Sequence, residues 1–249
     1  MAAEIEQAIE QERVVLHYQP QYALNSRQVV GVEALVRLQG TNGDLIAPTH
    51  CLELAEETGL IVPLGRHVLE EACQQLARWR RAGYRPLRMA VNVSPRQLME
   101  NDFIDIVDQA VTRAGIRHAD LELEITERQV VEHMADVEQT LRTLTSRGVR
   151  IAIDDFGTGY SSLAYLMQLT ISAIKVDRAF TSRITEDVRA GRIVTAIMDM
   201  ARALGLAVTV EGIETDTQDR FLQEAGCELG QGFGFARPQD ARAIEDFLR

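Results

Sequence analysis

The strongest constraint in this sequence is an alternation. Short apolar runs at 89–93, 120–126, 149–154, 172–176, 206–211 and about 227–231 read as strands. The stretches at 95–114, 128–147, 183–204, 215–225 and 238–248 carry helical spacing instead. Gly148, Gly205 and Gly226 each stand just before a strand, where a helix end calls for a left-handed residue. From Pro63 to Ala82, the positions Leu64, Val68, Ala72, Leu76 and Trp79 share one helical face, with Gly83 just beyond. Ahead of these, 13–22 and 29–38 read as two strands joined by a turn through Asn25-Ser26. Strand, helix and strand repeated this often imply a parallel sheet with crossover helices. At 249 residues an α/β barrel of the (β/α)₈ type is favoured, with an open doubly wound sheet as runner-up. If the opening pair is a hairpin, one barrel strand runs antiparallel.

No Gly/Ser-rich or Pro-rich linker divides the chain, so residues 1–249 are expected to form a single domain. The start at Met1-Ala2-Ala3, directly before a domain, is compatible with excision from a larger multidomain protein. Cys51, Cys73 and Cys227 are odd in number and widely spaced, which fits a reducing cytoplasm. The acidic N-terminus, with Glu4, Glu6, Glu10 and Glu12, does not read as a secretory signal, and no apolar run is long enough to span a bilayer. With 26 Lys+Arg against 37 Asp+Glu the net charge is −11, which disfavours electrostatic binding to nucleic acid or to an anionic membrane. It does not disfavour a phosphate ligand if cations stand between ligand and carboxylates.

The polar residues fall at the strand ends. Asn92 closes one apolar run, Glu124 and Glu127 close the next, and Ile151–Ile153 leads straight into Asp154-Asp155. Ile174 leads into Lys175 and Asp177, Val208–Val210 ends at Glu211, and Gly230 is followed by Gln231. Glu33 lies on the second strand. Singly, each acid reads as a helix N-cap or a solvated loop charge. Together they converge on the one barrel mouth where active sites are built. Glu33, Glu124, Asp154, Asp155 and Glu211 in one mouth would repel one another unless cations intervene. Carboxylates with the Asn92 carbonyl suit Mg²⁺ or Mn²⁺, and the histidines at 17, 50, 67, 118 and 133 show no ligand spacing. Adjacent Asp154 and Asp155 suit one carboxylate bridging two ions, an arrangement for in-line phosphoryl displacement. Lys175 is placed to orient or deprotonate the attacking water, or to neutralise phosphoryl charge; its plainer role is a salt bridge to one of the acids.

The stretch Phe156-Gly157-Thr158-Gly159-Tyr160-Ser161-Ser162 suits a mobile lid that carries Asp155. Asp155-Phe156-Gly157 mimics a kinase signature without its partner motifs, and too little chain follows Gly230-Gln231-Gly232-Phe233-Gly234 to make a dinucleotide fingerprint.

Eight ordered segments resemble EAL domains, the phosphodiesterases of the bacterial messenger cyclic di-GMP. They are Tyr18-Gln19-Pro20, Glu33-Ala34-Leu35-Val36-Arg37, Asn92-Val93-Ser94, Glu124-Ile125-Thr126-Glu127, Asp154 through Gly159, Lys175-Val176-Asp177, Glu211-Gly212-Ile213-Glu214 and Gln231-Gly232-Phe233. The resemblance implies a modified TIM (β/α)₈ barrel with one antiparallel strand, and two divalent cations, Mg²⁺ or Mn²⁺, with Ca²⁺ inhibitory. It implies Glu33, Asn92, Glu124 and Asp154 on the first ion, and Asp154 and Asp155 on the second, with Glu211 close by or coordinating. It implies Lys175 acting on the attacking water, Gln231 positioning it, and Glu127 anchoring the lid. Gln19 and Arg37 would contact substrate, with Glu214 and Asp177 completing the pocket. The implied reaction is hydrolysis of cyclic di-GMP to linear pGpG, in a cytoplasmic homodimer that touches neither nucleic acid nor membrane. Leu38 stands where the family often has Trp, and the tail 232–238 is a mild variant; neither removes a metal ligand.

Two other readings compete. A non-catalytic cyclic di-GMP receptor would bind without turnover, and the complete acid set with Lys175 argues against it. A barrel enzyme that abstracts a proton from a carbon acid would need one metal and a small acid substrate.

Overall fold

In the computed structural model, residues 2–11, 13–40, 44–46, 49–85, 87–159, 166 and 168–249 are described. Eight strands close into a barrel: β1 (Val14–Ala23), β2 (Gln28–Gln39), β4 (Arg88–Asn92), β5 (Leu121–Thr126), β6 (Arg150–Phe156), β7 (Ala173–Val176), β8 (Ala207–Val210) and β9 (Leu229–Gly230). A two-residue strand, β3 (Leu45–Ile46), adds to the far end of β2. From β2 through β9 the barrel strands pair in parallel, whereas β1 is antiparallel to both of its neighbours, β2 and β9. The hairpin expected at the start of the chain therefore supplies the reversed strand, and the barrel rather than the open sheet is the architecture.

Among the described residues the α-helices are α1 (Ala2–Glu10), α2 (Thr49–Thr58), α3 (Ile61–Arg81), α4 (Pro95–Leu98), α5 (Phe103–Ala114), α6 (Glu127–Ser146), α7 (Arg178–Thr181), α8 (Val188–Ala203), α9 (Asp216–Glu224) and α10 (Ala241–Leu248). The apolar stripe of α3 is buried as its spacing requires, with Leu64, Val68, Ala72, Leu76 and Trp79 all turned inward. Gly148, Gly205 and Gly226 have φ of 95°, 71° and 78°, the left-handed ends that the sequence called for.

Three boundaries differ from the sequence reading. The helical pattern over 95–114 is two helices, because Ser94 and Gln97 form a capping box that starts α4, and a second start follows at Asp102. The pattern over 183–204 starts later, at Val188, where Asp187 accepts a hydrogen bond from the Arg189 N–H. Finally, α1, α2, β3 and α7 occupy segments in which no element was expected.

Successive residues on a strand face opposite sides, so each barrel strand sends one set of side chains to the helices and the other to the barrel interior. The outward set is apolar, with Ile125, Ile153, Ile174 and Val176 wholly buried. The inward set is polar at both ends. At the floor, Glu122 accepts from Arg150 Nε at 3.0 Å and lies 3.9 Å from Arg88 Nε. Just outside it, buried Asp120 accepts from the guanidiniums of Arg80 and Arg117. At the mouth stands the acid cluster. Asp155, at the register shift that ends β6, has φ of 52°, a left-handed conformation that non-glycine residues rarely adopt.

Candidate active site

The register of the sheet brings the expected residues to one level. Gln19 pairs with Glu33, Asn92 with Glu124, and Thr126 with Asp154, while Lys175 pairs with Thr209 one residue below the end of β8. Lys175 is 1% exposed. A buried ammonium requires opposite charge around it, and four carboxylates supply it. Its Nζ lies 2.7 Å from Glu124, 2.8 Å from Glu211, 3.2 Å from Asp154 and 3.4 Å from Glu33. The Gln231 side-chain N–H donates to Glu33 at 2.6 Å and to Glu211 at 3.2 Å, and Asn92 donates to the other oxygen of Glu33 at 2.8 Å.

One ammonium does not balance this set. Burial raises Glu124 well above the usual carboxylate range, with Glu33 adding to the shift. Burial also raises Asp154, lifts Asp155 to about 6 with help from Asp154 and Asp177, and lifts Glu211 to about 8. Burial acts on Glu33 in the same direction, but Lys175 and the hydrogen bonds from Gln231 and Asn92 outweigh it and hold Glu33 below its ordinary value. On Lys175 burial alone would lower the pKa; Asp154, Glu124, Glu211 and Glu33 together raise it instead.

These residues fit divalent cations. Ligand oxygens of Glu33, Glu124 and Asp154 lie within 4.8 Å of one another, and so do those of Asp154, Asp155 and Glu211. Asp154 belongs to both groups. Glu124 Oε1 is buried with no hydrogen-bond partner, an acceptor that a cation would satisfy. The donors are all hard oxygens, and five carboxylates against one ammonium leave a surplus that two divalent ions would match.

The lid side is held from α6. Thr126 caps this helix, and the Gly157 N–H donates to fully buried Glu127 at 2.7 Å. Gly157 has φ of 96°, and a Cβ there would lie 2.8 Å from the Phe180 ring, so the segment after Asp155 needs glycine at this point. The Tyr160-Ser161-Ser162 part of the expected lid lies outside the described residues. Asp177 is an N-cap, accepting from the Ala179 N–H at 2.8 Å, and its charge is among those that raise Asp155.

Two cavities flank the cluster. One of about 300 Å³ is lined by Arg37, Glu53, Glu56, Asn92, Glu124 and Gln129 among others. The second, of about 150 Å³, is lined by Gln19, Arg178, Glu211, Glu214, Gln231 and Phe233 among others. Gln19 and Glu214 therefore line one cavity and Arg37 the other. Gln19 itself donates to the Ala236 carbonyl at 3.1 Å, which ties the tail to β1. Sequence reasoning missed Glu53 and Glu56, which reach the larger cavity from α2. Leu52 and Ala55 are too sparse an apolar pattern to have announced that helix. Among the described residues, no helix is long and apolar enough to cross a membrane.

Comparison with known proteins points one way. The family model for the EAL domain matches residues 2–238. Cyclic di-GMP phosphodiesterase NbdA of Pseudomonas aeruginosa is 42% identical over 249 residues, which is 100% of this chain and 32% of that protein. Cyclic di-GMP phosphodiesterase PdeR of Escherichia coli is 38% identical over 245 residues, 98% of this chain and 37% of that protein. The chain thus spans about a third of the length of these curated relatives. The solved structure of the PaMucR phosphodiesterase in complex with c-di-GMP superposes with a TM-score of 0.92 at 40% identity, covering 97% of this chain and 98% of that one.

Proposed function

This chain belongs to the EAL domain family, and from that premise we propose that it hydrolyses cyclic di-GMP to linear pGpG with the help of two divalent cations, Mg²⁺ or Mn²⁺. The observation that carries the proposal is the pair of carboxylate groups sharing Asp154 around buried Lys175. Glu33, Asn92, Glu124 and Asp154 would hold the first ion, and Asp154, Asp155 and Glu211 the second. Bound there, divalent ions supply a lowered water pKa and neutralisation of phosphoryl charge.

The chain's own residues supply the rest. Lys175 holds a positive charge at the centre of the cluster and orients the attacking water. Gln231 positions that water through the two carboxylates its N–H groups hold, Glu33 and Glu211. Burial of the cluster strengthens every one of these interactions, because little bulk water screens them. Glu127 anchors the segment that follows Asp155 through the Gly157 N–H. Arg37 at one cavity and Gln19 and Glu214 at the other contact the two halves of a ligand with two bases, and Asp177 completes the pocket; the Arg fork suits a phosphate or a guanine edge. The region works as one domain of a longer protein, and as a homodimer, which sedimentation of the chain tests.

The deciding experiment is incubation with cyclic di-GMP in Mg²⁺, in Mn²⁺ and with chelator, following pGpG by chromatography. The expected result is pGpG in both metals and none with chelator. Tight binding of cyclic di-GMP with no pGpG under any condition would convert the domain to a receptor.

A further inference from the structure

Below the acid cluster the barrel holds a second polar group that the reaction described above does not use. Gln21 is 1% exposed, and both its side-chain amide atoms are buried without a hydrogen-bond partner. Gln231 Oε1 and Arg88 Nε are in the same condition. The register places the three residues in a row across four strands. Gln21 on β1 pairs with Gly31 on β2, and Gly31 pairs with Arg88 on β4. On the other side, Tyr22 pairs with Gly230 of β9, so one step along the same ladder carries Gln21 opposite Gln231.

Gly31 makes the row continuous. A Cβ at that position would lie 2.7 Å from Gln21 Oε1 and 3.4 Å from the Arg88 carbonyl, so the Gln21 amide occupies the space a larger residue would fill. Gln21 thus reaches across β2 inside the barrel. The four atoms without a hydrogen-bond partner comprise two acceptors, the Oε1 of Gln21 and of Gln231, and two donors, the Nε2 of Gln21 and the Nε of Arg88, whose only ion-pair partner among the described residues, Glu122, stands off at 3.9 Å. Two donors and two acceptors are the full complement of one water molecule, and buried polar atoms are rarely left without partners.

We propose that an ordered water beneath the acid cluster joins Gln21, Arg88 and Gln231, and that Gln21 is thereby a positioning residue for the Gln231 amide. Gln231 directs its N–H groups at Glu33 and Glu211, so the opposite end of the same amide must be held by donors. The water supplies one, and Gln21 fixes the water. The kinetic part of this inference rests on the hydrolase reading; the water site does not.

Two measurements test it. A high-resolution crystal structure of the wild-type chain should show a water within hydrogen-bond distance of both the Gln21 and the Gln231 side chains; an unoccupied or apolar contact there overturns the site. Gln21→Met keeps the volume and removes the amide. It should lower kcat about tenfold with KM unchanged, as removal of a supporting hydrogen bond does. In a Gln231→Met background the same substitution should change kcat no further. Wild-type kcat in Gln21→Met, or an equal loss in both backgrounds, overturns the positioning role. A lowered melting temperature with kcat intact also overturns it, because that is the signature of a purely structural amide. A wild-type chain that never forms pGpG defeats the hydrolase reading instead, and the crystallographic water then decides the site by itself.

Discussion

Glu122 and Glu124 are two residues apart on β5 and face the same barrel interior, yet they live in opposite electrostatic settings. At the floor, Glu122 has Arg150 and Arg88 beside it, and nearby Asp120 has Arg80 and Arg117. At the mouth, Glu124 shares a single Lys175 with Glu33, Asp154 and Glu211. The floor carries fixed cations in excess of its acids, and the arginines beside Asp120 hold its carboxyl well below the usual range, against the push of burial. The mouth carries acids in excess of its cation, and most of its carboxyls are pushed up. Buried acids matched by arginine serve the fold. Buried acids left in surplus invite cations from solution, the setting that the proposed chemistry needs.

The largest effects should come from the mouth. Glu33→Ala removes an oxygen shared by the first metal group, Lys175 and Gln231, and should abolish pGpG formation; full activity in Mg²⁺ would refute the metal assignment. Lys175→Met should lower kcat by roughly 10² to 10⁴ and leave four buried carboxylates with no cation. If its kcat stays within threefold of wild type, roughly 0.7 kcal/mol of barrier, the ammonium has no part in the reaction. Glu127→Ala frees the Gly157 N–H and should cost about tenfold to a hundredfold in kcat by misplacing Asp155; unchanged activity and unchanged cooperativity would count against the anchor. Divalent ions should raise the melting temperature of the wild type, by the equivalent of about 2.7 kcal/mol at a hundredfold excess over Kd. That shift should shrink in Glu124→Gln, and an equal shift in both would place the ions elsewhere.

The floor should behave in reverse. Asp120→Asn should destabilise the fold by about 1–3 kcal/mol in urea while leaving kcat of the folded protein unchanged; loss of activity without loss of stability would erase the contrast between the two ends. The pH dependence follows from the sign of the shift. Because the folded-state pKa of Asp120 lies below its unfolded value, its contribution is fully present at neutral pH. It is lost as pH falls below the ordinary carboxylate range. The stability gap between wild type and Asp120→Asn should therefore close on acidification, and a gap that widens would reverse the assignment.

Much of this architecture was legible in the chain. Apolar runs bounded by Gly148, Gly205 and Gly226 mark strands because left-handed helix ends leave a residue-level trace, and the acids at the strand ends mark the mouth. The helices α1 and α2 were not legible. Their acids read as solvated charge, while the few residues they bury, Ile5 and Ala8 in α1 and Ala55 in α2, are too sparse to announce a face. The break between α4 and α5 leaves only a small trace, a five-residue step from Leu98 to Phe103 where helical spacing would put an apolar residue at 101 or 102 and the chain has Asn101 and Asp102. At the site, the list of acids could be read off, but not the centrality of Lys175, which comes from the register of four strands. Asp177 shows the limit from the other side: as an acid after a strand it fits both an N-cap and a pocket residue, and in the structure its carboxyl caps α7 while its charge helps raise Asp155.

The left-handed backbone of Asp155 has a consequence for how such a domain changes over generations. At φ of 52° an alanine or glutamate would be strained, whereas Asn and Gly tolerate the conformation. An alanine scan would therefore merge two losses, the carboxylate and the backbone, and only Asp155→Asn separates them. Both Asn and Gly are also a single base change from either aspartate codon. Ala and Glu are equally close in the code, so backbone strain rather than reachability marks Asn and Gly as the substitutions that discard the charge at residue 155 and spare the fold.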